Sequence, residues 1–187
     1  MQKSPKNKWM FFAAVAIVGF ALDIFTKHLV AANLEPYQSI PLAGDILEVF
    51  FVYNKGAIFG INPRGLVPGF PVNLFFYVFS SIAVVLLLVY YRTVDFSNTL
   101  LRWGVALIMP GALGNLYDRI AHPDLGVVDF IKVDLGFWPF NPWPIFNFAD
   151  IYITVGVLLV LLEFVREERR KNSSERTSAD SPDTSRA

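Results

Sequence analysis

The sequence predicts an all-α membrane protein with four transmembrane helices and a small extracytoplasmic β-element between helices 1 and 2. Three observations carry this expectation. The 187 residues are 54% hydrophobic and only 17% charged, with a mean hydropathy of +0.45, too apolar for an ordinary soluble domain. Apolar runs of crossing length recur along the chain, and the clearest, residues 72–91, holds no charge over about 20 positions, the length that spans a bilayer core. The basic residues also alternate with these runs. Lys3, Lys6 and Lys8 precede the first, Arg92 and Arg102 flank the link between the second and third, and Arg166, Arg169, Arg170 and Lys171 follow the fourth. Cationic flanks stay cytoplasmic, and four crossings return the chain to its starting side, so both termini are expected inside and both long connections outside.

The first helix is expected over about 9–30. A basic start before an apolar run is also the mark of a secretory signal peptide. This run is longer than a signal core, has no clear cleavage context, and is followed by three more apolar segments. Asp23 and Lys27 lie four apart, on one helical face and within reach of each other. Such a pair either neutralises two charges near the membrane boundary or also shapes a site from below.

Residues 31–71 lack helical periodicity. Within them Ile46-Leu47-Glu48-Val49-Phe50-Phe51-Val52-Tyr53 is rich in β-branched and aromatic residues and reads as a strand, and Asn54-Lys55-Gly56 as a turn. Ala57-Ile58-Phe59-Gly60 either returns as a second short strand or descends to the membrane surface. The third helix is expected over 99–117, with Pro110-Gly111 interrupting it and Gly104, Gly111 and Gly114 permitting close helix approach. Residues 121–145 form a second non-helical region, where Trp138 and Trp143 suit the headgroup layer. The fourth helix is expected over 150–165, with Asn147 or Asp150 as its cap. The four helices form one domain, 1–165. The polar stretch 166–187 reads as a disordered cytoplasmic tail.

The chemistry open to this chain is narrow. Cysteine is absent, and the only histidines are His28 and His122, so thiol catalysis and a His-rich metal site are not expected. A net charge of zero gives no ground for a nucleic-acid partner. What gathers at the outer ends of helices three and four is carboxylates: Asp118, Asp129 and Asp150. Asp129 lies among Val127, Val128, Phe130 and Ile131, and Asp150 opens an apolar run. A carboxylate beside hydrocarbon gains a partner or shifts its titration, and ionisable groups at membrane depth are functional candidates. Two nearby aspartates share a proton, so one can activate water while the other protonates a carbonyl oxygen. A rival reading makes Asp23, Asp118, Asp129 and Asp150 the relay of a small transporter or proton channel, although most of them lie at one end. A non-catalytic scaffold is a second rival, and it predicts tolerance of Asp→Asn changes.

Five ordered motifs resemble those of the lipoprotein signal peptidases, the signal peptidase II family. They are Asp23-Ile24-Phe25-Thr26-Lys27, then Asn54 to Gly60 with the pattern N-x-G-A-x-F, then Gly111 to Arg119 as G-A-x-G-N-x-x-D-R, then Val127-Val128-Asp129-Phe130-Ile131 with V-V-D-F, then Phe146-Asn147-Phe148-Ala149-Asp150. Two departures, Ile58 for a frequent alanine and Pro110 for a frequent glycine, bear on local packing only. The resemblance implies an aspartic endopeptidase of the bacterial inner membrane with its site toward the extracytoplasmic face. Asp129 and Asp150 are then the catalytic pair. The implied substrate is a prolipoprotein bearing a diacylglyceryl cysteine, cut on the amino side of that cysteine. Asn54, Gly56, Ala57, Asn115, Asp118, Arg119, Asn147 and Ala149 are the implied substrate-binding or supporting residues, with Asp23 and Lys27 as a structural ion pair. For Asn115 the plainer role is a helix–helix hydrogen bond, for Asp118 and Arg119 a mutual or interfacial ion pair, and for Gly56 and Ala57 an ordinary turn. No metal and no cofactor are implied, and a monomer is expected.

Overall fold

The computed structural model describes residues 5–56, 71–137, 141 and 143–179. In chain order these form α1 (Pro5–Asn33), β1 (Ser39–Ala43), β2 (Leu47–Asn54), α2 (Val72–Thr93), α3 (Thr99–Ala121), β3 (Val127–Val133) and α4 (Phe148–Ala179). Ala57, Ile58 and Trp138, with the expected return at 57–60, lie outside the described residues.

Each expected helix is present and runs further than its apolar stretch. The extensions carry the charges, and Lys, Arg and Glu are good helix formers. The largest difference is at the end of the chain. The tail expected to be structureless from Arg166 continues α4 as helix to Ala179. Its charges support one another, with Arg166 Nη1 4.0 Å from Glu163 Oε2, one turn away.

α3 is the central helix and packs against α1, α2 and α4. It buries a run of small residues, Gly104, Ala106, Gly111, Ala112 and Gly114. Backbone meets backbone there: a Cβ on Gly156 of α4 would stand 2.6 Å from the Gly104 carbonyl oxygen. Pro110 leaves α3 unbroken and packs against Gly19 of α1. Phe12, Tyr91, Val105 and Met109 fill the core among α1, α2 and α3. Outward, α2 presents Leu74, Phe79, Val85 and Leu86. Among the described residues, three helices are long and apolar enough to cross a membrane, Lys6–Asn33, Val72–Thr93 and Phe148–Ser174. α3 has 23 residues and carries Arg102, Asn115, Asp118 and Arg119.

One end of the bundle is tied by cations and caps. Lys8 Nζ donates to the Arg92 carbonyl at 2.9 Å and to the Val94 carbonyl. Arg102 Nη1 donates to the Phe96 carbonyl at 2.7 Å. Asn98 caps α3 through Leu101 N–H at 3.1 Å and donates to Glu163 of α4 at 2.9 Å.

The opposite end carries the sheet. The β-element expected between the first two helices is larger than that: three antiparallel strands in the order β1-β2-β3, the third coming from the connection between α3 and α4. A lone hairpin is marginal in water, and a third strand with an apolar face stabilises it. Phe51, Val128 and Phe130 provide that face and pack on Val30 and Leu34 at the end of α1. The expected strand 46–53 is observed one position later, and β1 went unread because its residues are all exposed and include Pro41. Phe146 pairs with Ile131 along the far edge of β3, which delivers the next residues of the chain to Asp129.

Candidate active site

The site lies where β3, the start of α4 and the last turns of α3 meet above α1. β2 sets the position of Asp129 by pairing Val52 against it, just past an irregularity in register between Val49 and Val52. Asp150 is the third residue of α4, and the helix start fixes it. Asn147 Oδ1 accepts from the Asp150 backbone N–H at 3.0 Å, and Asp150 Oδ2 accepts from the Asn147 backbone N–H at 3.1 Å. This reciprocal pair is a capping box, so Asn147 is the cap and Asp150 its partner.

Asn147 also reaches the other carboxylate. Its Nδ2 donates to Asp129 Oδ1 at 2.6 Å. Asn54 Nδ2 donates to Asp129 Oδ2 at 2.9 Å, and Asn54 is itself aimed by Gly56 N–H, 2.9 Å from its Oδ1. Gly56 has φ +107°, and a Cβ there would strike Val72 and Phe76 of α2. Asp129 is 2% exposed, and Asp150 is half-buried. Burial first, and then the Asp150 carboxylate, push the Asp129 carboxyl up to about 7 against the opposing pull of Asn54, Lys27 and Asn147.

Beneath the two aspartates is a buried ionic layer. Lys27 Nζ lies 2.8 Å from Asp23 Oδ2 and 3.0 Å from Asp118 Oδ2. It also donates to Asn115 Oδ1 at 3.1 Å. Asn115 Nδ2 donates upward to Asp150 Oδ1 at 2.9 Å. Asp23 Oδ1 accepts the Ala149 N–H at 2.9 Å, and Asp118 Oδ2 accepts the Val128 N–H at 3.1 Å. Two glycines of α3 let this layer close: a Cβ on Gly114 would strike Asp23 Oδ2, and one on Gly111 would strike the Ala149 carbonyl.

The structure therefore brings together Asp23, Lys27, Asn54, Gly56, Asn115, Asp118, Asp129, Asn147, Ala149 and Asp150. Ala57 lies outside the described residues. Asp118 and Arg119 do not form the mutual pair considered from their adjacency. Successive helical residues point to different sides, so Asp118 turns inward to Lys27 while Arg119 lies over the Phe76 ring at 4.9 Å and donates to the Asn115 carbonyl at 2.9 Å. Sequence reasoning missed Phe76, and it missed Val128, whose carbonyl accepts from Asn147 at 3.3 Å. A backbone role leaves no mark on residue type, and Phe76 is one of many phenylalanines. Among the described residues no group of three or more His, Cys, Asp or Glu is placed to hold a metal. The arrangement can hold two carboxylates with one proton between them beside a hydrocarbon surface.

The comparisons agree with one another. The family model described as Signal peptidase (SPase) II matches residues 15–166. A lipoprotein signal peptidase of Geobacter sulfurreducens is 36% identical over 167 residues, covering 89% of this chain and 98% of its own length. That of Treponema pallidum is 36% identical over 186 residues, covering 92% of each. Among solved structures, a bacterial membrane enzyme determined by the in meso method superposes with a TM-score of 0.73 at 26% identity, covering 86% of this chain and 90% of the other. A second such structure gives 0.69 at 25% identity, covering 82% and 91%.

Proposed function

This chain belongs to the signal peptidase II family, and from that premise we propose that Asp129 and Asp150 are the catalytic pair with which it cleaves prolipoproteins. It is a bacterial membrane hydrolase that removes signal peptides from prolipoproteins. The observation that carries the catalytic assignment is Asn147, a single residue hydrogen-bonded to both aspartates, one of which titrates near neutrality. Two carboxylates so close share one proton. The ionised one draws a proton from water as the water oxygen attacks the scissile carbonyl carbon. The protonated one hydrogen-bonds to and then protonates the carbonyl oxygen, and the leaving nitrogen is protonated as the C–N bond breaks.

The substrate class that fits is a prolipoprotein whose cysteine already carries diacylglyceryl, cut on the amino side of that cysteine. Its signal helix and acyl chains reach the site sideways from lipid, past the exposed apolar faces of the helices. Asn54, Asn115, Arg119 and Asn147 orient the carboxylates or hold substrate backbone. α3 is the fourth crossing: it matches α2 in length and is sheltered by the other helices, which is how its polar residues are tolerated. The end bearing Lys8, Arg92, Arg102 and Arg166 faces the cytoplasm with both termini, and the sheet and dyad face the outside. The catalytic unit is residues 1–165, acting as a monomer, and Trp143 anchors it at the headgroup layer.

The test is cleavage of a diacylglyceryl-modified prolipoprotein by the purified protein in lipid, beside Asp129→Asn and Asp150→Asn, each checked for folding by thermal melting. Wild-type cleavage with both folded variants inactive supports the dyad. Near-normal cleavage by either folded variant refutes it and turns attention to Asp118.

A further inference from the structure

Lys27 is a buried cation, 3% exposed, that touches neither aspartate of the dyad directly. An ammonium group has only donors. The Asn115 atom facing it at 3.1 Å is therefore the amide oxygen, and the Asn147 side-chain N–H2 reinforces that choice at 3.2 Å. The other end of the amide is then fixed as well: Asn115 Nδ2 points at Asp150 Oδ1. The second Asp150 oxygen meets the Asn147 backbone N–H. Both oxygens of Asp150 face N–H donors that cannot turn round, in the first turn of a helix, where the helix end favours an anion. Asp129 also accepts two amide hydrogen bonds, but it sits in a strand, more deeply buried, with its carboxyl raised to about 7.

Among the described residues, the charged groups around the dyad are Asp23 and Lys27 from α1 and Asp118 and Arg119 from α3. Asp23, Lys27 and Asp118 together carry a net charge of minus one. With Arg119 the four charges balance, and Lys27 acts on Asp129 through its field, so the contribution of Lys27 that is specific to Asp150 passes through the orientation of Asn115.

We propose that Lys27 is a positioning residue: by holding the Asn115 oxygen it turns the amide N–H2 onto Asp150, which makes Asp150 the carboxylate that activates water and leaves the proton on Asp129. This rests on the dyad reading above. In the forward reaction Asp150 takes a proton from water as the water oxygen bonds to the carbonyl carbon. The Asp129 proton passes to the carbonyl oxygen. On collapse the C–N bond breaks, the nitrogen takes the proton held by Asp150, and a hydroxyl of the intermediate returns one to Asp129.

The experiment uses the full chain in lipid with the modified prolipoprotein, reading pH–rate profiles and the infrared band of a protonated carboxyl group. Asn115→Ala should move the acid limb of the profile up by about one pH unit and leave the alkaline limb in place. Lys27→Met should move the acid limb the same way, and Lys27→Arg should restore it. The carboxyl band should vanish in Asp129→Asn and survive in Asp150→Asn. Asn115→Ala losing rate equally at every pH, or both its limbs moving together, overturns the proposal. So does a band lost from Asp150→Asn at every pH, since removal of the Asp150 charge only lowers the pH at which Asp129 gives up its proton. If Lys27→Met does not fold, Asn115→Ala and the infrared assignment still decide. Failure of the dyad itself looks different: a folded Asp129→Asn or Asp150→Asn that still cuts.

Discussion

Asn147 donates to Asp129 Oδ1 through its side chain at 2.6 Å while its backbone N–H and side-chain oxygen hold Asp150, so one residue sets the spacing of the two carboxylates. Its helix-capping and carboxylate-bridging roles separate by substitution. Asn147→Ser keeps a good cap but cannot span to Asp129, so it should melt near wild type with cleavage down by about a hundredfold. Asn147→Ala should lose the cap too, at about 1 kcal/mol of stability. Thermal melting beside the cleavage assay checks both.

Activity should follow a bell against pH, with its alkaline limb near 7, where Asp129 gives up its proton. The same group links pH to stability. Its carboxyl is raised on folding, so between about pH 4 and about pH 7 the folded state binds the proton and the unfolded state does not. Stability from this group is present at low pH and lost as pH rises through that window. Relative to Asp129→Asn, wild type should lose on the order of 2 kcal/mol between about pH 5 and about pH 7. Paired melts in detergent across that range would show it, and a constant difference would contradict it.

Gly114→Ala should damage the site from below. The new methyl strikes Asp23 Oδ2, which holds Lys27. Overpacking of this kind costs about 1–3 kcal/mol. A lower melting temperature and slower cleavage are expected together, because the displaced carboxylate is the one that anchors the Ala149 N–H.

Asn98→Ala probes the opposite end. It removes the α3 cap and the hydrogen bond to Glu163 Oε1, at a cost of about 1 kcal/mol. Cleavage per folded molecule should stay at the wild-type level, since Asn98 stands at the start of α3 and the dyad beside its last turns. A selective loss of rate would mean the two ends are coupled.

What was legible in the sequence was whatever is local. The uncharged run of α2 announces its own length, and Asp23 and Lys27 announce their pairing through a four-residue spacing. The strand that carries Asp129 was not legible. Its partner β2 comes from the other connection, with Asn54 and Asp129 75 positions apart. The same applies to Lys27, whose bond to Asn115 spans 88 positions. Of the tail, residues 166–179 continue α4: low hydropathy suggests disorder, whereas Arg, Lys and Glu extend a helix that packing has already nucleated.

The order of β2, β3 and α4 along the chain also governs biogenesis. Asp129 has no fixed position until β3 finds β2, and Asp150 does not exist on the growing chain until its last helix emerges. Lys27 waits for Asp118, 91 residues further along the chain. On the proposed dyad, a partly made chain holds separated aspartates, and the hydrolytic centre forms only when α4 packs beside α3 and brings Asp150 to Asn115.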